Sequence, residues 1–310
     1  MRPSHRAFFA LGRLLQVASI GFVAWLVFQH IGTLPTAPAV LKAIVVAAGL
    51  ALVVIPLPMI GWWHLVRVGG DPIPFRVVFA VYAQSALAKY LPGNVLHYVG
   101  RQILGARHGL AQAAIATASV SEVLLVVAAS CTVSILAWPL APLSPWGLVS
   151  ATLLRTLLLA GALLPLVACV CLGRIQPGPL RHLKLHILPV SAIGVAFAIL
   201  VLFVAGGATA MGVIGALAGT RGDLPLAALF AAYGFSYVVG YLTPGSPGGL
   251  GVREAALLAL LAPVTGHEPA LVMAIGLRLS WIAAEAALYL LALWLAPRQP
   301  PELPAPNLSG

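Results

Sequence analysis

The chain has 310 residues, 61% of them hydrophobic and only 8% charged, with a formal net charge of +10 and a mean hydropathy of +1.03. Soluble domains carry about 25% charged residues, so these values exclude a soluble fold and describe a chain whose surroundings are mostly lipid. The positive excess does not indicate nucleic acid, because Lys and Arg sit in short segments between apolar runs and no DNA- or RNA-binding motif is present.

The first apolar run, Leu14–Ile31, follows Arg2, Arg6 and Arg13. Such a start resembles a signal peptide, but the run is too long for a signal core and leads to no small-residue cleavage site, so it is expected to remain as a first span. Uncharged runs follow at Ala43–Trp63, Val123–Leu154, Thr156–Gly173 and Ile187–Thr220, each near or beyond the roughly 18 to 20 residues that cross a bilayer as a helix. Basic residues at Arg67 and Arg76, Arg101 and Arg107, Arg174 to Lys184, and Arg298 assign those loops, and both termini with them, to the cytoplasmic side.

Segment 77–100 is then flanked by basic residues on both sides, so it is not expected to cross. Its "KYLPGN" contains Pro92, which lacks a backbone donor, and Gly93, which permits a sharp turn; a re-entrant helical hairpin satisfies both flanks. Residues 111–138 cross outward, and the uncharged 139–147 stretch forms an external turn. The second half repeats the plan: 148–172 cross inward to a basic loop at 173–186, 187–218 cross outward, 226–262 form another broken segment, and 270–296 return to Arg298. Gly206-Gly207 leaves open whether 187–220 is one helix or two.

An internal similarity supports this plan. "FAVYAQSALAKYLPG" at 79–93 and "FAAYGFSYVVGYLTPG" at 230–245 share Phe79/Phe230, Tyr82/Tyr233, Ser85/Ser236 and Tyr90/Tyr241. After an inserted residue, Pro92-Gly93 matches Pro244-Gly245 and Arg101 matches Arg253. The expected fold is all-α, a polytopic membrane helix bundle of two inverted-topology repeats, about 1–143 and about 144–298. Each repeat has three spans and one re-entrant Pro-Gly-broken hairpin. Residues 1–300 form one transmembrane domain, and 299–310 a disordered Pro-rich tail.

The stretches "KYLPGNVLHYVGR", "SVSEVLLV" and "PGGLGVREAALLALL" resemble the transmembrane region of the lysylphosphatidylglycerol synthase family, also called flippase-like proteins. The resemblance implies a multi-spanning bacterial inner-membrane fold that moves a lipid between leaflets. The chain reaches Gly310 without a soluble domain for aminoacyl transfer, so a synthase activity is not carried over.

The candidate substrate-binding residues follow from intramembrane charge and from broken helices. In "PGGLGVRE", Pro247, Gly248, Gly249 and Gly251 precede a helix whose start carries Arg253 and Glu254. A helix starting inside a membrane presents unpaired N–H groups and a positive dipole end, glycines let an anion approach, and Arg suits bidentate contact with phosphate. Alternatively, Pro and Gly only turn the chain, and Arg253 pairs with Glu254, Glu122 or Glu285 to hold the halves together. Glu122 and Glu285 are candidate proton carriers or members of ion pairs, and Arg278 lies seven residues before Glu285 on roughly the same face. Lys89, Pro92, Gly93 and Arg101 are the corresponding candidates in the first half, and Arg155 either binds phosphate or snorkels outward.

Neither a catalytic constellation nor a cofactor motif accompanies these charges, so no enzyme activity, metal or cofactor is expected. Cys131, Cys169 and Cys171 read as packing residues, His182 and His186 as interfacial polar residues, and Trp62 and Trp63 as an aromatic belt. The functional expectation is a flippase-like transporter of an anionic phospholipid or polyprenyl-linked lipid, with a lipid-biosynthesis enzyme as a possible partner. An intramembrane lipid-modifying enzyme and an accessory subunit of an envelope pathway are the alternatives.

Overall fold

A computed structural model describes residues 37–70, 73–90, 96–141, 143, 150–175, 186–219, 224–243 and 246–295. The expected first span Leu14–Ile31, Pro92-Gly93, most of the 139–147 turn, His182, Pro244-Gly245 and the 299–310 tail lie outside them. The described residues are all-helical, without a strand.

Among the described residues, five helical stretches are long and apolar enough to cross a membrane: Pro38–Val68, Gln112–Leu140, Ala151–Leu172, Val190–Leu217 and His267–Leu295. At about 1.5 Å rise per residue, each meets or exceeds the roughly 30 Å of a hydrocarbon core. The first comprises α1 (Ala37–Val54) and α2 (Pro56–Val68), separated at Ile55. Pro56 explains the break, since it has no amide to donate and its ring crowds the carbonyl four residues back.

Two shorter helices follow, α3 (Phe75–Ala86) and α4 (Leu96–Arg107), which pack on each other as a hairpin. Next, α5 (Gln112–Ala137) runs through the middle of the bundle, touching α2, α4 and three helices that follow it in the chain. Its small residues make that possible: Ser121, Ser130 and Ser134 are fully buried, and Cys131 packs on Gly161, where a Cβ would meet its sulfur at 2.6 Å. All three cysteines are free, and Cys131 and Cys169 are buried, in keeping with packing roles.

The helix α6 (Ala151–Ile175) packs mainly on α5 and leaves Leu157, Leu163 and Leu164 exposed, the face a lipid-solvated helix presents. Then α7 (Val190–Leu217) runs unbroken for 28 residues, which settles Gly206-Gly207 as part of one helix. The glycines serve close approach instead: a Cβ on Gly206 would meet Val54 at 2.8 Å, and one on Gly207 would meet the Tyr233 ring at 2.2 Å. The last three helices are α8 (Leu226–Leu242), α9 (Val252–Thr265) and α10 (His267–Leu295), with α8 and α9 packed together as a second hairpin.

Trp62 departs from the expected aromatic belt. It is fully buried, its indole N–H donates to Ser119 at 3.1 Å, and its ring meets Tyr82 edge-on. Trp63 is half-buried beneath Arg67 and donates to the Ile73 carbonyl at 3.0 Å.

Candidate functional site

The site lies where the two hairpins meet. The first hairpin's leading helix, α3, continues into a tight 3-10 turn at Leu87–Tyr90; a second such turn, Pro247–Gly249, lies between α8 and α9. The turns touch, and a cavity of about 110 Å³ opens beside them, room for several water-sized groups. Lys89, Glu122, Gly248, Gly249, Arg253, Arg278 and Glu285 all border it, together with Tyr237, Tyr241, His97 and Trp281.

Three ion pairs organise the charges. Arg101 donates to Glu122, Lys89 to Glu285, and Arg278 lies 3.5 Å from Glu254. Glu122, Glu254 and Glu285 are only 8%, 7% and 5% exposed, and a carboxylate so far from water is tolerated only when paired and hydrogen-bonded. Hydroxyls complete the satisfaction: Tyr82 donates to Glu122 at 2.5 Å and Tyr90 to Glu285 at 2.9 Å. The Lys89 and Tyr90 contacts cross from the first hairpin to α10, and Tyr98 meets Tyr241 hydroxyl to hydroxyl, so the first hairpin is tied to the second half at several points.

Arg253 differs from the other cations. Glu122, Glu254 and Glu285 are engaged by other basic residues, and Arg253 makes no ion pair among the described residues, against the alternative in which it pairs with one of these carboxylates. Its Nη2 donates to the Tyr233 hydroxyl at 3.3 Å, and the guanidinium sits 4.1 Å above the Tyr237 ring. Stacking on an aromatic face stabilises a cation without neutralising it.

Matching residues of the two hairpins make matching contacts. Arg101 lies 3.7 Å above the Tyr82 ring, and Arg253 touches Tyr233. Ser85 donates to the Tyr82 carbonyl at 2.9 Å and Ser236 to the Tyr233 carbonyl at 2.8 Å. The difference is the third member, since Glu122 accepts from both Tyr82 and Arg101, whereas among the described residues no carboxylate takes that place beside Tyr233 and Arg253.

The glycine turn also works differently from the expected open anion cradle. Gly248, Gly249 and Gly251 have φ of +57°, +70° and +79°, a left-handed backbone that other residues adopt at a cost. The turn seats Arg253: a Cβ on Gly249 would lie 2.7 Å from Arg253 Cδ, and one on Gly240 of α8 would lie 2.1 Å from Arg253 Cγ. The start of α9 is capped from within, because Glu254 Oε2 accepts from the Gly251 N–H at 2.7 Å. Arg278 donates to the Gly248 carbonyl at 2.9 Å, so it braces the turn and the cap instead of pairing with Glu285 on its own helix. Gly249→Val is therefore expected to cost about 1–3 kcal/mol through backbone strain and to displace Arg253 from its seat. A thermal melt together with lipid movement checks this, and unchanged movement would refute the seating role.

Of the residues singled out in the sequence, Lys89, Arg101, Glu122, Pro247, Gly248, Gly249, Gly251, Arg253, Glu254, Arg278 and Glu285 converge here. Arg155 does not: it is exposed on α6, away from the cavity, because α6 packs at the bundle's edge. Pro92 and Gly93 lie outside the described residues. The aromatic partners were not anticipated as part of the site. Their signal was present, since Tyr233, Tyr237 and Tyr241 recur every four residues and so share one face of α8. His97 carried no such signal; its Nδ1 is buried without a hydrogen-bond partner. No protein-family model matches the chain, and no curated protein matches it.

Proposed function

We propose that the chain is a flippase-like transporter that moves an anionic phospholipid or polyprenyl-linked lipid between the leaflets of a bacterial inner membrane, without a catalytic step of its own. The observation that carries this reading is Arg253, a cation at a cavity between two broken helical hairpins with no ion-pair partner among the described residues. Its planar fork has donors beyond the one spent on Tyr233, and two parallel N–H groups match two phosphate oxygens. Intramembrane charge is costly, and an uncompensated one facing a cavity is a ligand site by default.

In this proposal the chain is two inverted repeats, each with three spans and one re-entrant hairpin, with both termini cytoplasmic. The matched contacts of Tyr82 with Arg101 and of Tyr233 with Arg253 support that internal symmetry. The resemblance to the lysylphosphatidylglycerol synthase transmembrane family, carried by "KYLPGN" and "PGGLGVRE", belongs to the same reading, as does a lipid-biosynthesis enzyme as partner. Exposing the cavity to alternate leaflets then requires the Lys89–Glu285 and Tyr98–Tyr241 links to part and reform.

The test is lipid movement in proteoliposomes. Arg253→Lys keeps the charge but loses the fork, and is expected to slow movement about tenfold; Arg253→Gln is expected to abolish it, with both variants folded. Full movement by the Gln variant would overturn the proposal.

A further inference from the structure

The net charge of the cavity's surroundings identifies the class of headgroup. Arg101 pairs with Glu122, Lys89 with Glu285 and Arg278 with Glu254, so of the described arginines and lysines around the cavity Arg253 is the one left outside these pairs. A proton passed within any of these pairs leaves their sum at zero. Burial holds His97 uncharged, so the described residues around the cavity carry one positive charge in excess. In surroundings of low dielectric, a ligand with one negative charge neutralises it, whereas a ligand with two leaves an unpaired anion behind.

The first hairpin displays what the second lacks. There, one oxyanion, the Glu122 carboxylate, accepts from the Arg101 guanidinium through one oxygen and from the Tyr82 hydroxyl through the other. The corresponding Arg253 and Tyr233 already touch each other at 3.3 Å, and among the described residues no carboxylate pairs with that guanidinium. Glu122 thus stands as an intramolecular counterpart of an oxyanion ligand for Arg253. The cavity also offers an unused polar group: His97 is 9% exposed, borders the space, and its Nδ1 has no partner.

We infer that the cavity selects a lipid whose headgroup is a single phosphodiester of net charge −1, over phosphomonoester and diphosphate lipids. The inference rests on the proposed lipid-transport reading and narrows it, because a polyprenyl diphosphate carries too much charge for a site with one spare cation.

The experiment is a binding titration of the purified full chain in neutral detergent at about pH 8, where a phosphomonoester carries close to two charges. Short-chain phosphatidylglycerol, phosphatidic acid and phosphatidylcholine are added separately. Binding is read from the fluorescence of Trp281, which borders the cavity, with Trp281→Phe as the blank. Phosphatidylglycerol is expected to bind at least roughly tenfold more tightly than either of the others.

Glu285→Gln raises the excess to two positive charges and is expected to shift the preference toward phosphatidic acid by about tenfold. Should that variant fail to fold, Lys89→Gln combined with Glu285→Gln removes the pair together and restores an excess of one; its preference is expected to stay with the monoanion, at whatever affinity it retains. Equal or tighter binding of phosphatidic acid by the native chain would overturn the inference. So would competition by millimolar inorganic phosphate, which would mark a site for the free ion, or an unchanged preference in Glu285→Gln. Selective binding of phosphatidylglycerol without movement in proteoliposomes would instead overturn the transport reading alone.

Discussion

Arg101→Met is expected to leave little folded protein, with a loss of about 3–5 kcal/mol seen as a collapse of the thermal midpoint in detergent. Arg101 is 3% exposed and holds Glu122 beside the Tyr82 and Trp62 rings, so its removal strands a carboxylate that is itself only 8% exposed. Adding Glu122→Leu to Arg101→Met is expected to recover most of the loss, because two apolar groups remove the penalty that one uncompensated charge creates. Arg253→Met makes the contrast. No carboxylate depends on that guanidinium among the described residues, so the variant is expected to melt at or above the native midpoint while losing lipid movement. Equal melting of Arg101→Met and the native chain would show that the Arg101–Glu122 pair is not what holds the first hairpin on α5.

Gly207→Val is the second substitution with a large expected effect. A Cβ at this position would stand 2.2 Å from both the Cζ and the hydroxyl of Tyr233, whose side chain is fully buried. Tyr233 has nowhere to go, since its neighbour Gly234 lies 2.7 Å, by the same measure, from the Ser130 carbonyl on α5. Overpacking of this kind costs about 1–3 kcal/mol or more, and here it also moves the hydroxyl that accepts from Arg253. Tyr233→Phe is not expected to relieve the clash, because a ring carbon collides as closely as the hydroxyl does; Tyr233→Ala in the same chain is. A double-mutant cycle on the thermal midpoint measures this coupling, and additivity of Gly207→Val with Tyr233→Ala would contradict the packing described.

Several features of the site were legible in the chain before any packing was known. The intramembrane charges Lys89, Arg101, Glu122, Arg253, Glu254, Arg278 and Glu285 stand out because each interrupts an apolar background, and all of them gather at one cavity. The glycine-rich stretch at 247–251 marked the turn before α9 for a local reason: glycine admits a left-handed backbone, and Gly248, Gly249 and Gly251 adopt it.

Other features depended on long-range packing. Gly206-Gly207 left one helix or two open and is a seat for Val54 and Tyr233 within one helix, since a glycine that bends a helix and one that admits a neighbour are the same letter. Trp62 stood near the end of an apolar run, as an interfacial aromatic would, yet it is buried against Tyr82 and Ser119. Arg155 interrupts apolar sequence as Arg253 does, but α6 lies at the edge of the bundle and points it outward.

The sequence by itself determined that this is an all-helical chain with membrane-length apolar spans, because hydropathy and the need to satisfy every backbone group in lipid act on each segment separately. Which cation meets which carboxylate was decided only in the tertiary structure. Lys89 and Glu285 are 196 residues apart, Arg253 and Glu254 are adjacent, and yet it is the distant pair that forms. Adjacent residues on a helix point some 100° apart, whereas packed helices bring side chains face to face whatever their separation along the chain.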